Sequence, residues 1–140
     1  MLSKNIRYFS TSLSQFSRSR SKQILFRKAL IDKYSKCAIT DIHPNLCDAC
    51  HIIPYSVSNN YDVNNGILLS KNMHAAFDRK YFTIDENTCQ VKILYHKIQE
   101  DRIEDLENLD LEKYNGVYVP QLDNIESRTY LSTFNIHQFP

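Results

Sequence analysis

Three consecutive segments in the middle of the chain constrain its fold most, because their patterns predict a strand, a second strand and a helix in that order. Residues 46–53 alternate loosely between apolar and polar types and stop at Pro54, which predicts a β-strand. Residues 66–69 form a short apolar run, which predicts the second strand. Ser70 follows at once and is suited to cap a helix. A chain of 140 residues can bury one modest core, so we expect these elements to form the centre of a single domain.

The flanking segments add predicted elements on both sides of this centre. Apolar residues recur at helical spacing between Ser21 and Tyr34, which predicts a helix there. They are Leu25, Phe26, Ala29, Leu30 and Tyr34. Two β-rich runs at 81–84 and 91–95 predict a hairpin. The remaining expectations are a solvated helix in the acidic stretch 100–113, one more strand at 116–120 and a final helix that carries Ile125, Tyr130, Leu131 and Phe134.

Composition excludes several classes of protein. Apolar residues make up 42% of the chain and charged residues 24%, which is typical of a globular domain. The only glycines are Gly66 and Gly116, so a glycine-rich phosphate loop and a dinucleotide-binding fingerprint are excluded. No apolar run approaches the ~18 residues that span a bilayer, so we predict no transmembrane helix and no membrane partner.

The N-terminal segment differs in charge from the rest of the chain. Residues 1–31 contain seven Lys and Arg and no Asp or Glu. Residues 1–20 are also rich in Ser, with scattered apolar residues, which is typical of a mitochondrial presequence. Arg7-Tyr8-Phe9-Ser10 resembles a matrix-protease cleavage site. We therefore predict a presequence at 1–20, a domain at 21–140 and a mitochondrial matrix location. The alternative is a basic arm on nucleic acid in the nucleus or cytoplasm.

The central segments place residues with suitable chemistry for phosphodiester hydrolysis. His51 lies at the end of the first predicted strand, Asn65 just before the second, and His74 on the helix. Hydrolysis requires a base that deprotonates water, for which an imidazole with a pKa near neutrality is suited. It also requires stabilisation of the phosphate charge and the leaving oxygen, which one divalent metal ion can provide.

Five motifs in register resemble the HNH endonuclease family, also known as His-Me finger or ββα-metal nucleases. They are Cys37-Ala38-Ile39-Thr40, Asp48 to Pro54 with its Ala-Cys-His-Ile-Ile-Pro, Asp62 to Leu69 with its Asn-Gly-Ile-Leu, His74-Ala75-Ala76-Phe77-Asp78, and Phe82-Thr83-Ile84-Asp85. They match a subgroup with a first strand of the type AHI-P, a second of the type NGI-L and a helix of the type H--FD. The resemblance covers about residues 20–95, because Gln23-x-x-Phe26-Arg27 also looks like this subgroup.

This resemblance implies a fold, a reaction and a set of site residues. The fold would be α+β, with a small ββα-metal core at about residues 37–85, flanking helices and an extra β-hairpin. His51 would be the general base, and Asn65 would orient His51 or the loop that carries it. His74 would bind one divalent ion, Mg²⁺, Mn²⁺ or Zn²⁺. Asp78 follows His74 at i+4 and shares its helix face, so both could reach the same ion. The implied substrate is nucleic acid, most simply DNA.

One departure concerns the metal ligands. Many His-Me finger nucleases carry Asp or His directly before the base, where this chain has Cys50. Asp48 lies on the same strand face as Cys50 because side chains alternate along a strand, so Asp48 is a candidate for the missing carboxylate ligand.

Alternatives remain at this stage. Asp78 could instead pair with Arg79 or Lys80. Structural zinc could bind Cys37, His43, Cys47 and Cys50, although the spacing favours buried free thiols. The whole domain could be a nucleic-acid-binding module without catalysis, but the presence of His51, Asn65 and His74 favours an enzyme. The basic residues expected to contact DNA are Arg18, Arg20, Lys22, Arg27, Lys28, Lys71, Arg79 and Lys80.

Overall fold

The computed structural model describes residues 20–54 and 60–138. The regular elements, in chain order, are helix α1 at 20–34, strands β1 at Cys47–His51 and β2 at Gly66–Ser70, helix α2 at Lys71–Asp78, strands β3 at Phe82–Ile84 and β4 at Val91–Ile93, helix α3 at Tyr95–Glu100 and helix α4 at Ile125–Gln138. The architecture is α+β, with two small antiparallel sheets, as the sequence predicted.

The centre of the domain is the predicted strand–strand–helix unit. β1 and β2 pair antiparallel in a register that runs from Cys47 opposite Ser70 to His51 opposite Gly66. α2 follows β2 without a loop, and its start is fixed by Ser70, whose side chain accepts a hydrogen bond from the backbone N–H of Met73 at 3.4 Å. The helix buries Met73, Ala76 and Phe77. β1, β2 and α2 together confirm the expected ββα core.

Helix α1 packs directly onto the backbone of β2. Phe26, Leu30 and Tyr34 are buried, as expected for residues spaced four apart on one helix face. A Cβ atom on Gly66 would lie 2.7 Å from Cζ of Phe26, so only glycine allows this approach. Leu25 belongs to the same apolar pattern but is 66% exposed. One residue before Phe26, it lies about 100° around the helix from the packed face.

The second sheet is the predicted hairpin, in which Phe82 pairs with Ile93 and Ile84 with Val91. The predicted strand at 116–120 is only partly correct. This segment runs beside β4, where the Val91 N–H donates to the Val117 carbonyl at 2.9 Å. Its pairing is limited to an isolated bridge between Gln90 and Tyr118.

The prediction of a long helix at 100–113 is wrong. The helix in this region is α3, which ends at Glu100, and short 3-10 turns follow at Leu106–Leu109 and Glu112–Tyr114. Arg102 and Asp110 have positive φ angles of 57° and 53°, which interrupt a right-handed helix. The apolar residues of this stretch pack onto the core from these turns, so their spacing reflected burial rather than one helix.

Helix α4 forms where the sequence predicted it and packs with Leu131 and Phe134. Ile125, at its first turn, is 81% exposed. Ser127 also links α4 to the segment before β2, because its hydroxyl donates to the Asn64 carbonyl at 3.1 Å. None of the helices in the described ranges is long and apolar enough to cross a membrane.

Candidate active site

His51 lies at the end of β1 between aromatic rings from two other segments. Its imidazole is stacked on Phe26 of α1, with ring centroids 4.3 Å apart and planes 6° from parallel. Tyr61, from the segment before β2, meets the same imidazole edge-on at 5.3 Å. These contacts restrict the ring to one orientation and remove part of it from water.

Two polar groups accompany these aromatic contacts. Nε2 of His51 lies 3.4 Å from Oε1 of Gln23, on α1. Burial lowers the pKa of His51 below the usual histidine value of 6.5, and a hydrogen bond with the Asn60 backbone offsets part of this effect. The imidazole is therefore neutral at neutral pH and has a lone pair that can accept a proton.

Asn65 holds the chain that follows His51. It is fully buried, and its Oδ1 accepts a hydrogen bond from the Ile53 N–H at 2.8 Å, while its Nδ2 donates to the Ile53 carbonyl at 3.1 Å. Its own carbonyl accepts from the Ile52 N–H at 2.9 Å. Of the two roles implied for Asn65, this geometry favours bracing of the loop over contact with the imidazole.

The structure brings the three predicted metal-site residues together around His74. Nδ1 of His74, on α2, donates to Oδ2 of Asp48, on β1, at 2.9 Å. Nε2 of the same ring lies 3.2 Å from Oδ2 of Asp78, one helical turn later on α2. Asp78 thus contacts His74 rather than Arg79 or Lys80.

Asp48 also forms an ion pair with Lys71, whose Nζ lies 2.8 Å from Oδ1. Partial burial would raise the pKa of Asp48, but the hydrogen bonds from Lys71 and His74 outweigh it and lower the pKa. Both carboxylate oxygens are thus engaged by protein groups. This arrangement is typical of a carboxylate that orients a metal-binding histidine from behind.

The pair formed by His74 and Asp78 fits a divalent ion. Two ligand atoms, each about 2.1 Å from one ion, are roughly 3 Å apart at the usual coordination angles. The 3.2 Å between Nε2 of His74 and Oδ2 of Asp78 matches this spacing. The two side chains are 31% and 67% exposed, so water and phosphate oxygens can complete the coordination. Within the described ranges, no three His, Cys, Asp or Glu side chains are arranged to hold an ion.

The imidazole of His51 and the His74 cluster belong to opposite faces of β1. Alternation along the strand places Asp48 on the face covered by α2 and His51 on the face covered by α1. Three residues of strand, about 10 Å, separate the two positions. One short strand therefore positions both groups, each against its own helix.

The cysteines do not converge on a zinc site. Sγ of Cys37 accepts hydrogen bonds from the N–H groups of Thr40 and Ser70, at 3.3 and 3.2 Å. Cys47 donates to the His43 carbonyl at 3.4 Å, and Cys50 to the Asp48 carbonyl at 3.5 Å. All the cysteines of the chain are free and buried, which supports the thiol interpretation.

Some contacts of the site were not assigned a role from the sequence. Gln23 and Phe26 belong to the family-like pattern, and their spacing from Leu30 was the available signal that they face inward. Tyr61 gave no such signal, and Lys71, expected to contact DNA, forms an ion pair with Asp48. Arg27, expected to contact DNA, instead donates to the Pro44 carbonyl at 2.9 Å and to that of Cys47, so it stabilises the turn before β1.

Comparison with protein families identifies the central segment. Residues 37–85 match the family model described as HNH endonuclease, and they include β1, β2, α2 and β3. His51, Asn65, His74 and Asp78 all fall inside the matched segment, whereas α1 and α4 lie outside it. No curated protein sequence matches the chain.

Proposed function

We propose that this chain, whose residues 37–85 match the HNH endonuclease family model, is a metal-dependent endonuclease that hydrolyses phosphodiester bonds in DNA. The observation that carries the proposal is the state of His51. Its imidazole is held between Phe26 and Tyr61 and kept neutral by burial, which are the two properties that a general base for water requires.

His51 would accept a proton from water as the water oxygen attacks phosphorus. Asn65 acts indirectly, because its hydrogen bonds to Ile53 fix the backbone on which the imidazole is mounted. The substrate must bring its phosphate to the exposed side of the ring, since the stacked face is covered by Phe26. In-line attack then requires a fixed ring, and the aromatic contacts provide it.

His74 and Asp78 would hold the divalent ion, with Asp48 as the residue that orients His74. Asp48 accepts the Nδ1 proton of His74, which leaves the Nε2 lone pair directed towards Asp78. A bound ion supplies charge stabilisation at the phosphate and at the leaving oxygen. The donor set of one imidazole and one carboxylate suits Mg²⁺, Mn²⁺ and Zn²⁺ alike.

Basic side chains near the site support a polyanionic substrate. Lys22 and Lys28 on α1 and Lys71 and Arg79 at the ends of α2 are exposed. Lys and Arg neutralise backbone phosphates independently of base sequence. The acidic residues of the stretch 100–112 lie mostly exposed on other segments and disfavour DNA there.

A plasmid-nicking assay with the full chain tests this function. Supercoiled DNA should be nicked with Mg²⁺ or Mn²⁺ and not with EDTA. His51→Ala should reduce the cleavage rate by about 10²- to 10⁴-fold and retain DNA binding. His96→Ala replaces an exposed histidine on α3, outside the matched segment, and serves as the matched control that should cleave normally.

Other outcomes of the assay have definite meanings. DNA binding without cleavage under any metal would indicate a non-catalytic nucleic-acid-binding module. Cleavage of RNA but not of DNA would support the proposed hydrolysis and show that the substrate is RNA. Full activity of His51→Ala would overturn the assignment of the base.

A further inference from the structure

The imidazole of His51 is contacted from a part of the chain that the family match does not include. The matched segment begins at residue 37, whereas Gln23 and Phe26 lie on α1. We propose that Gln23 is a positioning residue, whose carboxamide holds Nε2 of His51 and so sets the orientation and proton affinity of the base. This inference rests on the proposed function of His51 as a base.

The position of Gln23 is fixed by packing rather than by chance contact. Phe26 follows it by three residues on the same face of α1 and is only 2% exposed. The Phe26 ring lies against Gly66 on one side and the imidazole on another. Since Gly66 pairs with His51 in the sheet, the helix, the strand pair and the base form one packed unit. The Gln23 side chain is thereby brought to the edge of the imidazole.

A carboxamide is chemically suited to this place. The carboxamide atom beside Nε2 of His51 is the oxygen Oε1 of Gln23, which can only accept a hydrogen bond, so Nε2 carries the proton and the lone pair of the neutral ring lies on Nδ1. Nε2 keeps its proton while Nδ1 takes one from water. The same contact can therefore hold the ring both before and after proton transfer. A carboxylate would also accept from Nε2, but its negative charge would favour the charged ring.

The pKa of His51 also depends on the other groups that surround its imidazole. α1 contributes the uncharged Gln23 and Phe26, and the segment before β2 contributes the titratable phenol of Tyr61 and the backbone of Asn60. Asp48 lies on the opposite face of β1, where it is engaged by His74 and Lys71. A charge introduced at position 23 would therefore act on His51 from a side where α1 presents neutral groups.

Titration of His51 by NMR in the full chain tests the contact without any need for activity. Gln23→Glu keeps the side-chain length and adds a negative charge beside Nε2, so the pKa of His51 should rise by about one unit. Ser21→Glu adds the same charge on the same helix at an exposed position and should leave that pKa within about 0.2 units of the wild type. An unchanged pKa in Gln23→Glu would overturn the proposal, and so would equal shifts in the two variants.

Kinetics provide the second measurement. Gln23→Met keeps the length and apolar packing and removes the hydrogen bond, so kcat should fall about tenfold with little change in KM. Gln23→Glu should recover most of the lost rate at high pH. The acidic limb of its pH–rate profile should lie at higher pH than that of the wild type. Equal kcat in Gln23→Met and wild type would refute a positioning role. If no variant cleaves DNA but the NMR shift appears, the contact is established and the proposed function fails separately.

Discussion

At the scale of single residues, His51 has a neutral, oriented imidazole because of its neighbours rather than its sequence position. Stacking on Phe26 orients the ring, and partial burial disfavours its charged form. Asn65 then fixes the backbone beyond it through a pair of hydrogen bonds to one residue, Ile53. The base thus depends on residues that need not touch the substrate.

The lowered pKa of His51 leads to a prediction for the pH dependence of cleavage. A base must be deprotonated to work, so activity should rise with pH through a folded-state pKa that lies below the usual histidine value of 6.5. Because burial disfavours the charged form, this rise in activity should occur at lower pH than it would for an exposed histidine. The measurement is kcat/KM against pH at constant ionic strength. An acidic limb centred above pH 7 would contradict the assignment of His51.

His74 and Asp78 lead to a prediction for metal affinity. His74→Ala removes the only nitrogen ligand of the pair and should abolish metal-dependent cleavage and weaken Mn²⁺ binding in calorimetry. Asp78→Asn retains one oxygen donor and should weaken binding less. Asp48→Asn should weaken binding by about 10- to 100-fold, because it loosens the orientation of His74 without removing a ligand. Unchanged Mn²⁺ affinity in His74→Ala would show that the ion binds elsewhere.

At the scale of elements, helices outside the matched segment hold the centre in place. α1 covers the His51 face of β1 and β2, while α4 reaches the segment before β2. Tyr130 of α4 accepts a hydrogen bond from the Asn60 side chain at 2.7 Å, and the Asn60 backbone in turn contacts His51. The ββα unit supplies the residues, and the helices around it determine how rigidly the residues are held.

The packing of α1 on Gly66 leads to a stability prediction. In Gly66→Ala the new methyl group would meet Phe26 and Leu30 at under 3 Å, so the variant should lose about 1–3 kcal/mol of stability. Adding Phe26→Leu removes the ring atoms that clash, so the double variant should be less destabilised than the sum of the two single variants. Its activity should stay low, because His51 loses its stacking partner. Chemical denaturation measures the coupling, and strictly additive losses would contradict the proposed close packing.

At the scale of the whole molecule, residues 1–19 lie outside the described residues, and the role of the N-terminal segment stays a proposal from the sequence. We propose that residues 1–20 direct the protein to the mitochondrial matrix. Their Ser- and Arg-rich composition without acidic residues fits a presequence. Each positive charge is favoured by about 2.3 kcal/mol per 100 mV of inside-negative potential.

A fusion of residues 1–20 to a fluorescent protein tests the location. The fusion should accumulate in mitochondria, and the purified native protein should begin near Ser10 or later. Replacement of Arg7, Arg18 and Arg20 by Gln should return the fusion to the cytosol, because it removes most of the charge. A wild-type fusion that stays in the cytosol or nucleus, or a native protein that begins at Met1, would indicate a basic arm instead.

The sequence by itself determined the elements at the centre and the places of the candidate site residues on them. Alternation up to Pro54, the apolar run from Gly66 and the cap at Ser70 are local signals, and local backbone preferences suffice to produce β1, β2 and α2. The i, i+4 spacing of His74 and Asp78 likewise fixed their common helix face. The wrong prediction at 100–113 shows that local spacing does not always predict a helix. Packing and the left-handed backbone at Arg102 and Asp110 overrode the helical spacing there.

Only the tertiary structure decided what surrounds those residues. Gln23 and His51 are 28 positions apart, and Asp48 and His74 are 26 apart, so no periodic pattern links either pair. The contact of Gln23 with the base arises because Gly66 has no side chain and lets α1 approach the sheet. The orienting role that we propose for Asp48 also rests on long-range contacts, since Lys71 and His74 engage both its oxygens once α2 folds onto β1. Long-range contacts of this kind follow from the shape of the packed core, which local sequence does not encode.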